Sequence, residues 1–416
     1  MQLRYSLDDK PPIKEMVTVN LQWLAVIAPI LIIGGRLVAD LQYEESLSKT
    51  IYLQKVFFIS GLALLLQLFL GHRLPLVVGP SAVLMVGIYA SLESGFEAIY
   101  TAIAVCGAIL FIFAATGKLN LLRRFFTENI VAVILLLVAL TLTPAIIELL
   151  TFKNAFYNLI FSIAFLITLF SAGRRLKGFW NTSLIIWGII FGSVAYLMIF
   201  PAQIELYSLE ISSFFSDLNL RPVFRIEVIV AFLICFLALA INDLSSIYSV
   251  GEILKAEQID RRVTCGVSLT GLSNLLSGLF GVVGTVNYTL SPGMISATSC
   301  ASRYPLALAA SALIVIAFIP AVISLFGSIP SAIIGSVFIY ILCSQIGVAV
   351  SMVKSQKSGA VIGFPILLAV IIAFLPEEVL SSFPEVLRPI LGNSFVMGVI
   401  TAMILEHVVF RNYESP

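Results

Sequence analysis

The chain has 416 residues, of which 60% are hydrophobic and only 11% are Asp, Glu, Lys or Arg. Its 24 basic and 23 acidic side chains leave a formal net charge of +1, so the charge gives no indication of nucleic-acid binding. A soluble domain usually carries about 25% charged residues, and a mean hydropathy of +1.06 leaves too little polar surface to cover a core. These values exclude a soluble enzyme and a disordered chain, and they predict an all-α polytopic membrane protein surrounded by lipid.

The five cysteines are scattered through apolar stretches without a CxxC spacing. They predict packing roles rather than a metal site or a disulfide framework, and the sequence indicates no cofactor. The first seventeen residues are charged and contain proline, which is not the pattern of a cleavable signal peptide.

Apolar runs recur along the whole chain and predict fourteen transmembrane spans. The predicted spans are 17–35, 52–71, 75–92, 98–116, 129–147, 156–172, 180–200, 226–251, 263–281, 285–299, 304–326, 330–352, 359–375 and 391–410. The connections are short except for a polar stretch at 201–225, so no soluble domain is expected between the spans.

Basic side chains are concentrated in the even-numbered connections between these spans, at 118–124, 174–177, 255–262 and 354–357. Clusters of acidic side chains lie instead in odd-numbered connections, at 93–97, 205–217 and 377–385. Because basic residues are retained on the cytoplasmic side, both termini are expected in the cytoplasm. We therefore expect a multi-pass protein of the cell membrane.

Spans 3 and 10 are short, and each is interrupted near its middle by proline and small residues. Gly79 and Pro80 interrupt span 3, and Ser291 and Pro292 interrupt span 10. Each break is typical of a helix start, with Gly79 or Ser291 as the N-cap and proline at the first helical position. Since seven is odd, a second set of seven spans enters the membrane from the opposite side. The pattern predicts two inverted seven-span repeats with broken helices in spans 3 and 10; ordinary proline kinks are the alternative.

Two half-helix N termini near the membrane midplane would present unpaired N–H groups and a partial positive charge. They predict a site for a small ligand with acceptor oxygens, such as an anion or a planar heterocycle. We expect the backbone N–H groups of Ser81, Ala82 and Ser291, together with the side chain of Asp243, to supply most of the contacts to that ligand.

Asp243 is the clearest acidic residue inside a predicted helix and away from its ends. Such carboxylates usually face the bundle interior and mark a route for substrate or protons. Ser246 lies three residues further on the same helix face, and Asn242 widens the polar stripe, so these three residues are the predicted coupling residues. The alternative is that Asp243 reaches water at the cytoplasmic end. His72, beside Arg73 in a predicted turn, is not expected to shuttle protons.

The motifs resemble the nucleobase–cation symporter-2 family, also called the nucleobase–ascorbate transporters, which includes xanthine and uracil permeases. Tyr5–Pro12 is similar to the family's N-terminal Tyr-x-x-Asp-Asp-Lys-Pro-Pro segment. Leu21-Gln22-Trp23 is similar to its Leu-Gln-His in span 1, and Thr285–Arg303 to its signature region. The resemblance runs from residue 4 to about residue 408.

The resemblance implies a fold of two inverted seven-span repeats, in which a core domain holds the substrate and a gate domain moves against it. It places the core at 15–120 and 222–328, and the gate at 125–205 and 329–411. It also implies a homodimer that imports a purine or pyrimidine nucleobase together with a proton or a sodium ion, and no nucleic-acid partner.

Asp243 matches the family's acidic substrate-binding residue in span 8, with a side chain one methylene shorter. The resemblance implies substrate contacts from Gln22, Trp23, Ser81, Ala82, Asp243, Tyr288, Thr289, Leu290 and Ser291. The sequence departs from the family pattern where Leu290 and Ser291 replace Gln or Glu followed by Asn, Trp23 replaces His, and Ala82 replaces an aromatic residue. These changes leave open two other functions, a sulfate-transporter-like anion exchanger or uniporter and a non-transporting relative.

Overall fold

The computed structural model describes residues 4–117, 119, 127–151, 154–176, 180, 184–200, 214, 221–288, 291–298, 300–327, 329–352, 356–376, 378–379 and 391–410. In the first half of the chain, the elements are α1 (Ile13–Gln42), α2 (Ser46–Phe69), β1 (Val78–Pro80), α3 (Ala82–Ala90), α4 (Phe96–Ala115), α5 (Glu128–Thr141), α6 (Thr143–Thr151), α7 (Ala155–Arg175) and α8 (Leu184–Ile199).

The second half begins with a long helix and also contains one short strand. Its elements are α9 (Ile226–Leu254), α10 (Ile259–Phe280), β2 (Thr285–Asn287), α11 (Ser291–Thr298), α12 (Arg303–Ala317), α13 (Pro320–Gly327), α14 (Ser331–Met352), α15 (Gln356–Ala373), α16 (Ser394–Ile404) and a turn of π-helix (Leu405–Val409).

Many of these helices are long and apolar enough to cross a membrane. Within the described ranges, seven helical segments meet that requirement, or eight if the bent pair α12–α13 counts as one span. Four further apolar helices have 10–17 residues, among them α8 and a segment within α15. The chain is therefore a multi-pass membrane protein, while fourteen spans remain the prediction from the sequence.

Predicted span 11, at 304–326, is not one straight helix. α12 ends at Ala317, α13 begins at Pro320, and the two axes differ by 100°. Pro320 lacks an N–H donor, and its ring disfavours helical backbone at Ile319. The hydropathy pattern did not show this bend, because both arms are apolar.

Glycines allow two pairs of helices to touch through their backbones. A Cβ atom on Gly271 of α10 would lie 2.4 Å from the backbone nitrogen of Phe111 on α4, and one on Gly278 would lie 2.5 Å from that of Ala104. On α2, a Cβ atom on Gly61 would lie 2.9 Å from the carbonyl oxygen of Ala310 on α12. Small residues at such contacts are the usual means of close helix packing in lipid.

The helices form two packed groups. α2, α4, α9, α10 and α12 pack together with α1 around the two strands, whereas α5, α6, α7, α14, α15 and α16 pack mainly against one another. The first group packs around the strand pair. It is therefore the group next to the breaks predicted in spans 3 and 10.

The N-terminal segment runs beside the chain that enters α12. Tyr5 forms a parallel bridge with Cys300, and the N–H of Arg303 donates to the carbonyl of Leu7 at 3.2 Å. The Arg303 guanidinium also lies 2.7 Å from a carboxylate oxygen of Asp8. Two of the motifs that carry the family resemblance are therefore in direct contact.

Candidate functional site

Two short extended segments meet inside the helical bundle. β1 and β2 pair antiparallel, with Val78 opposite Asn287 and Pro80 opposite Thr285, and every residue of both strands is buried. The ladder continues beyond the strands, because the N–H of Tyr288 donates to the carbonyl of Val77 at 2.8 Å. Each strand is followed within a few residues by a short helix, α3 or α11. Two helix N termini are thus held beside the small sheet.

The first of these helices starts two residues later than the sequence predicted. Gly79 and Pro80 belong to β1, and the N-cap of α3 is Ser81, whose hydroxyl accepts from the N–H of Leu84 at 3.4 Å. The prediction of Gly79 as the N-cap was wrong, because pairing with β2 keeps Gly79 and Pro80 extended. α11 begins at Ser291, within one residue of its predicted start.

Asp243 is fully buried on α9, with none of its surface exposed. One carboxylate oxygen, Oδ1, accepts from the backbone N–H of Asn287 at 2.9 Å and from the Asn287 side-chain amide at 2.8 Å. The other, Oδ2, accepts from the hydroxyl of Thr270 on α10 at 2.5 Å. These bonds join α9, α10 and β2 at one point, and three donors of the protein itself meet the carboxylate.

Asn242 and Ser246, the other predicted coupling residues, lie beside Asp243 and contact the same segment. The Ser246 hydroxyl donates to the carbonyl of Asn287 at 3.0 Å, and the Asn242 amide donates to that carbonyl at 3.3 Å. Together with Asp243 they satisfy both backbone polar groups of Asn287. This one residue of β2 is therefore bonded to all three predicted coupling residues of the α9 stripe.

His72 reaches the same cluster from the turn after α2, and it is fully buried. Its Nε2 lies 3.1 Å from Oδ1 of Asn287, and its Nδ1 accepts from the backbone N–H of Leu74 at 2.9 Å. Arg73, with a φ of 56°, adopts the left-handed conformation next to it, and the N–H of Arg73 bonds the carbonyl of Gln67. The sequence predicted a turn at His72, but it did not predict that this tight turn directs the imidazole inward.

Gln67 supports the Thr270 side of the carboxylate. The Gln67 amide donates to the carbonyl of Gly266 at 2.9 Å and to the hydroxyl oxygen of Thr270 at 3.0 Å. Since Thr270 accepts from Gln67, its own proton is directed to Asp243.

Two of the three backbone amides that were expected to bind a ligand are already bonded within the protein. The N–H of Ser81 donates to the carbonyl of Gly284 at 2.8 Å, and the N–H of Ser291 lies 3.4 Å from the carbonyl of Tyr288. The expectation that both amides are free for a ligand was therefore wrong for this conformation. Ala82, half-buried, follows Ser81 as the first residue of α3.

Trp23 lies on α1 with its side chain fully buried, and Gln22 beside it is half-buried. Within the described part of the chain, the indole Nε1 of Trp23 and the Oδ1 of buried Asn20 have no hydrogen-bond partner. The two residues are three positions apart, so they share one face of α1. A buried donor and a buried acceptor are left for a ligand or water to satisfy.

Tyr288 closes the other side of the strand pair. Its hydroxyl donates to the carbonyl of Pro80 at 2.5 Å. Its ring covers Gly79, where a Cβ atom would lie 2.8 Å from Cε2 of the ring. Gly79 therefore gives this aromatic ring the space to lie directly on the backbone of β1. Two other predicted contact residues, Thr289 and Leu290, lie outside the described residues.

Three residues of this network were not predicted as site residues: Asn287 and Thr270, which bond Asp243, and His72, which bonds Asn287. Each is a polar side chain inside or next to an apolar segment, and a buried carboxylate needs donors. A search for such donors in the neighbouring predicted spans would have included Asn287 and Thr270. The turn that buries His72 has no comparable signal in the sequence.

The family model and the relatives in sequence point to the same family. The model of the xanthine/uracil permease family, a permease family, matches residues 14–378. The uric acid permease PucJ of Bacillus subtilis is 25% identical over 83% of this chain and 82% of its own length. The putative purine permease YwdJ of the same organism is 24% identical over 94% of this chain and 95% of its own length.

Solved structures share the fold at lower identity. The transmembrane domain of the cyanobacterial bicarbonate transporter BicA superposes with a TM-score of 0.60 and 14% identity, over 96% of this chain and 98% of that domain. This likeness concerns the fold of a membrane transporter domain. The relatives in sequence are permeases and not enzymes. The resemblance found in the motifs is confirmed, and the chain belongs to the xanthine/uracil permease, or nucleobase–ascorbate transporter, family.

Proposed function

We propose that the protein is a secondary active transporter that imports a purine or pyrimidine nucleobase, or a related heterocycle, together with a proton or a sodium ion. The observation that carries the proposal is the buried Asp243 beside the paired strands and the short helices α3 and α11. A carboxylate in this position can accept N–H groups from a base. The uric acid permease PucJ supports an oxidised purine as the first substrate to test.

The proposed substrate contacts come from α1, from the chain at the start of α3, from α9 and from residues 288–291. They are Gln22, Trp23, Ser81, Ala82, Asp243, Tyr288, Thr289, Leu290 and Ser291. The unpaired Nε1 of Trp23 and Oδ1 of Asn20 support a ligand with both an acceptor and a donor on one edge. A lactam edge of an oxidised base has that pairing of C=O and N–H. Oδ1 of Asp243 accepts two bonds from Asn287, whereas Oδ2 accepts one bond, from Thr270, so Oδ2 is the oxygen that we propose accepts an N–H of the base.

Coupling is proposed at Asp243, Asn242 and Ser246. A carboxylate can carry the coupled proton itself, and carboxylate, amide and hydroxyl oxygens are suitable ligands for a sodium ion. The bonds of Asn242 and Ser246 to the carbonyl of Asn287 support a link between this site and β2. A change of protonation at Asp243 would therefore change the hydrogen bonds that hold β2.

Alternating access of a core domain against a gate domain is proposed for the movement. The core would comprise 15–120 and 222–328, and the gate 125–205 and 329–411, within fourteen spans arranged as two inverted repeats with broken spans 3 and 10. Three pairings support the repeat: β1 with β2, α2 with α12, and α4 with α10. Under the proposed symmetry, the contact of spans 2 and 11 is equivalent to that of spans 9 and 4.

The proposed setting is the cell membrane, with both termini in the cytoplasm, lipid around the apolar helices and a second copy of the chain in a homodimer. The charge pattern of the connections supports the orientation.

A thermal-unfolding panel on purified protein tests the substrate class, since a ligand that binds only the folded state raises the unfolding temperature. We expect uric acid, xanthine or uracil to raise it, and bicarbonate and sulfate to leave it unchanged. Stabilisation by the oxyanions alone would indicate an anion exchanger or uniporter. No response to either class, in protein that unfolds cooperatively, would indicate a non-transporting relative. Either result would overturn the proposal.

A further inference from the structure

His72 and Asn287 form a directed chain of hydrogen bonds that ends on Asp243. The backbone N–H of Leu74 donates to Nδ1 of His72, so Nδ1 carries a lone pair and no proton. The ring proton therefore lies on Nε2, which is 3.1 Å from Oδ1 of Asn287. The Nδ2 of the same amide donates to Oδ1 of Asp243 at 2.8 Å.

This chain permits only one orientation of the Asn287 amide. In the reversed orientation, Nδ2 would point at Nε2 of His72, which would then have to accept. Both ring nitrogens would be acceptors at once, and a neutral imidazole has only one acceptor nitrogen. The oxygen of the reversed amide would also face Oδ1 of Asp243, an arrangement that is favourable only when that carboxyl carries a proton.

We infer that His72 is a positioning residue for the proposed substrate and coupling site: by fixing the Asn287 amide, it ensures that Asp243 meets an N–H donor and holds the carboxyl in its ionised form. His72 does not contact the carboxylate. It acts through Asn287 from the turn at the end of α2, outside the segments that carry the family signature. The inference rests on the proposed role of Asp243, but it is tested without any substrate.

Asn287 and Thr270 are the described hydrogen-bond partners of the Asp243 carboxyl. The other ionisable side chains on elements that pack against α9 are Glu97, Tyr100 and Cys106 of α4, Tyr89 of α3, Asp260, Arg261, Arg262 and Cys265 of α10, and Tyr288 beside β2. Arg262 contacts His72 through the backbone, because its Nη1 donates to the His72 carbonyl at 2.9 Å. This bond anchors the turn and leaves the imidazole bonds intact.

The first test uses the protein without a change at the site. The chain has two histidines, so His407→Gln leaves His72 as the source of the imidazole nitrogen signals. Nitrogen-15 NMR of that variant should show a neutral ring at neutral pH, with Nε2 protonated and Nδ1 bare. A protonated Nδ1, in either the other tautomer or the cation, would overturn the inference.

The second test follows the infrared band of the neutral carboxyl through a pH titration, with Asp243→Asn to identify the band. In His72→Phe the amide of Asn287 can reverse, so the band should appear at a pH about one unit higher than in the wild type. His72→Gln retains a donor for Asn287 and should recover most of that difference.

A double-mutant cycle separates positioning from a direct effect of the ring. If His72 acts through Asn287, His72→Phe should cause no further shift in a protein that already carries Asn287→Leu. An unchanged midpoint in His72→Phe would overturn the inference. So would an equal shift in His72→Gln, or the same shift with and without Asn287→Leu.

Discussion

The side-chain amide of Asn287 donates to Oδ1 of Asp243 at 2.8 Å, and the backbone N–H of Asn287 donates to the same oxygen at 2.9 Å. One residue of a short strand thus gives two donors to a single buried carboxylate oxygen. Bonds of this kind are stronger than those between neutral groups, because the acceptor is charged. The contact fixes the end of β2 to α9. Asp243, the proposed substrate and coupling residue, therefore also holds this strand in place.

Asn287→Ala should therefore destabilise the folded protein. The change removes one donor from the Asp243 carboxylate and leaves Nε2 of His72 without its acceptor. A hydrogen bond to a charged group is worth about 1.5–3 kcal/mol, and a buried polar group left unpaired adds to the loss. Denaturant titration in detergent micelles measures the free energy of unfolding. Asn129→Ala is a control, because the Asn129 amide bonds a half-buried Glu406 instead. Equal losses in the two variants would contradict the assignment.

Trp23→Phe should weaken the binding of an oxidised purine. The variant keeps a large buried ring but removes the unpaired Nε1 donor. A typical hydrogen bond contributes about 0.5–1.5 kcal/mol net, so the dissociation constant should rise by roughly 2- to 10-fold. Isothermal titration with uric acid or xanthine measures it. Trp187→Phe on α8 is the matched control, since its Nε1 is also unpaired. If both variants bind like the wild type, Trp23 does not donate to the ligand.

Gly271→Ala should separate α4 from α10. The new Cβ atom would lie 2.4 Å from the backbone nitrogen of Phe111, and a backbone atom cannot move aside alone. Overpacking of this kind costs about 1–3 kcal/mol. Gly363→Ala on α15 is the control, because its Cβ atom would meet nothing within 4 Å. It should be neutral or slightly stabilising, since alanine favours helix. The unfolding temperatures of the two variants should therefore move apart, and similar values would refute the close contact.

Acid should loosen the N-terminal segment through Asp9. The hydroxyl and the N–H of Ser6 both donate to this carboxylate, and they lower the pKa of Asp9 below its ordinary value. A lowered folded-state pKa gives stability that is present above the unfolded pKa of about 3.9. That stability is lost as the pH falls through the folded value. Hydrogen exchange of the Ser6 amide, corrected for the intrinsic rate, should lose protection over this range.

The variant Asp9→Asn provides the reference for that experiment, because its side chain does not titrate. Its Ser6 amide should be less protected at neutral pH and should show little change of protection with pH. If the wild type and Asp9→Asn had the same pH profile, the carboxylate would not be holding the segment.

The sequence predicted well those features that depend on local chemistry. The composition identified a multi-pass membrane protein, and the motifs identified the family that the comparisons confirmed. Ser291 was recognised as the start of a helix, and α11 begins there. Asp243 was selected because a charged residue inside an apolar run is rare, and the structure buries it completely.

Features that depend on contacts between distant segments were missed. The start of α3 moved from Gly79 to Ser81 because β1 pairs with a strand about two hundred residues further along the chain. The bonds from Ser81 to Gly284 and from His72 to Asn287 likewise join segments far apart in sequence. Neither hydropathy nor capping preference contains such pairings, so the amides appeared free and the contact of His72 with Asn287 was not predicted.

Uptake of uric acid or xanthine into proteoliposomes, with and without an imposed inward proton gradient, tests the central claim most directly. The wild type should accumulate the base when the gradient is present and only equilibrate it when the gradient is absent. Asp243→Asn keeps the shape of the side chain but cannot take up a proton, so it should retain binding and lose gradient-driven accumulation. A sodium gradient in place of the proton gradient identifies the other coupling ion. Accumulation by Asp243→Asn equal to that of the wild type would contradict the role of Asp243, and the absence of any base uptake by the wild type would contradict the proposed function.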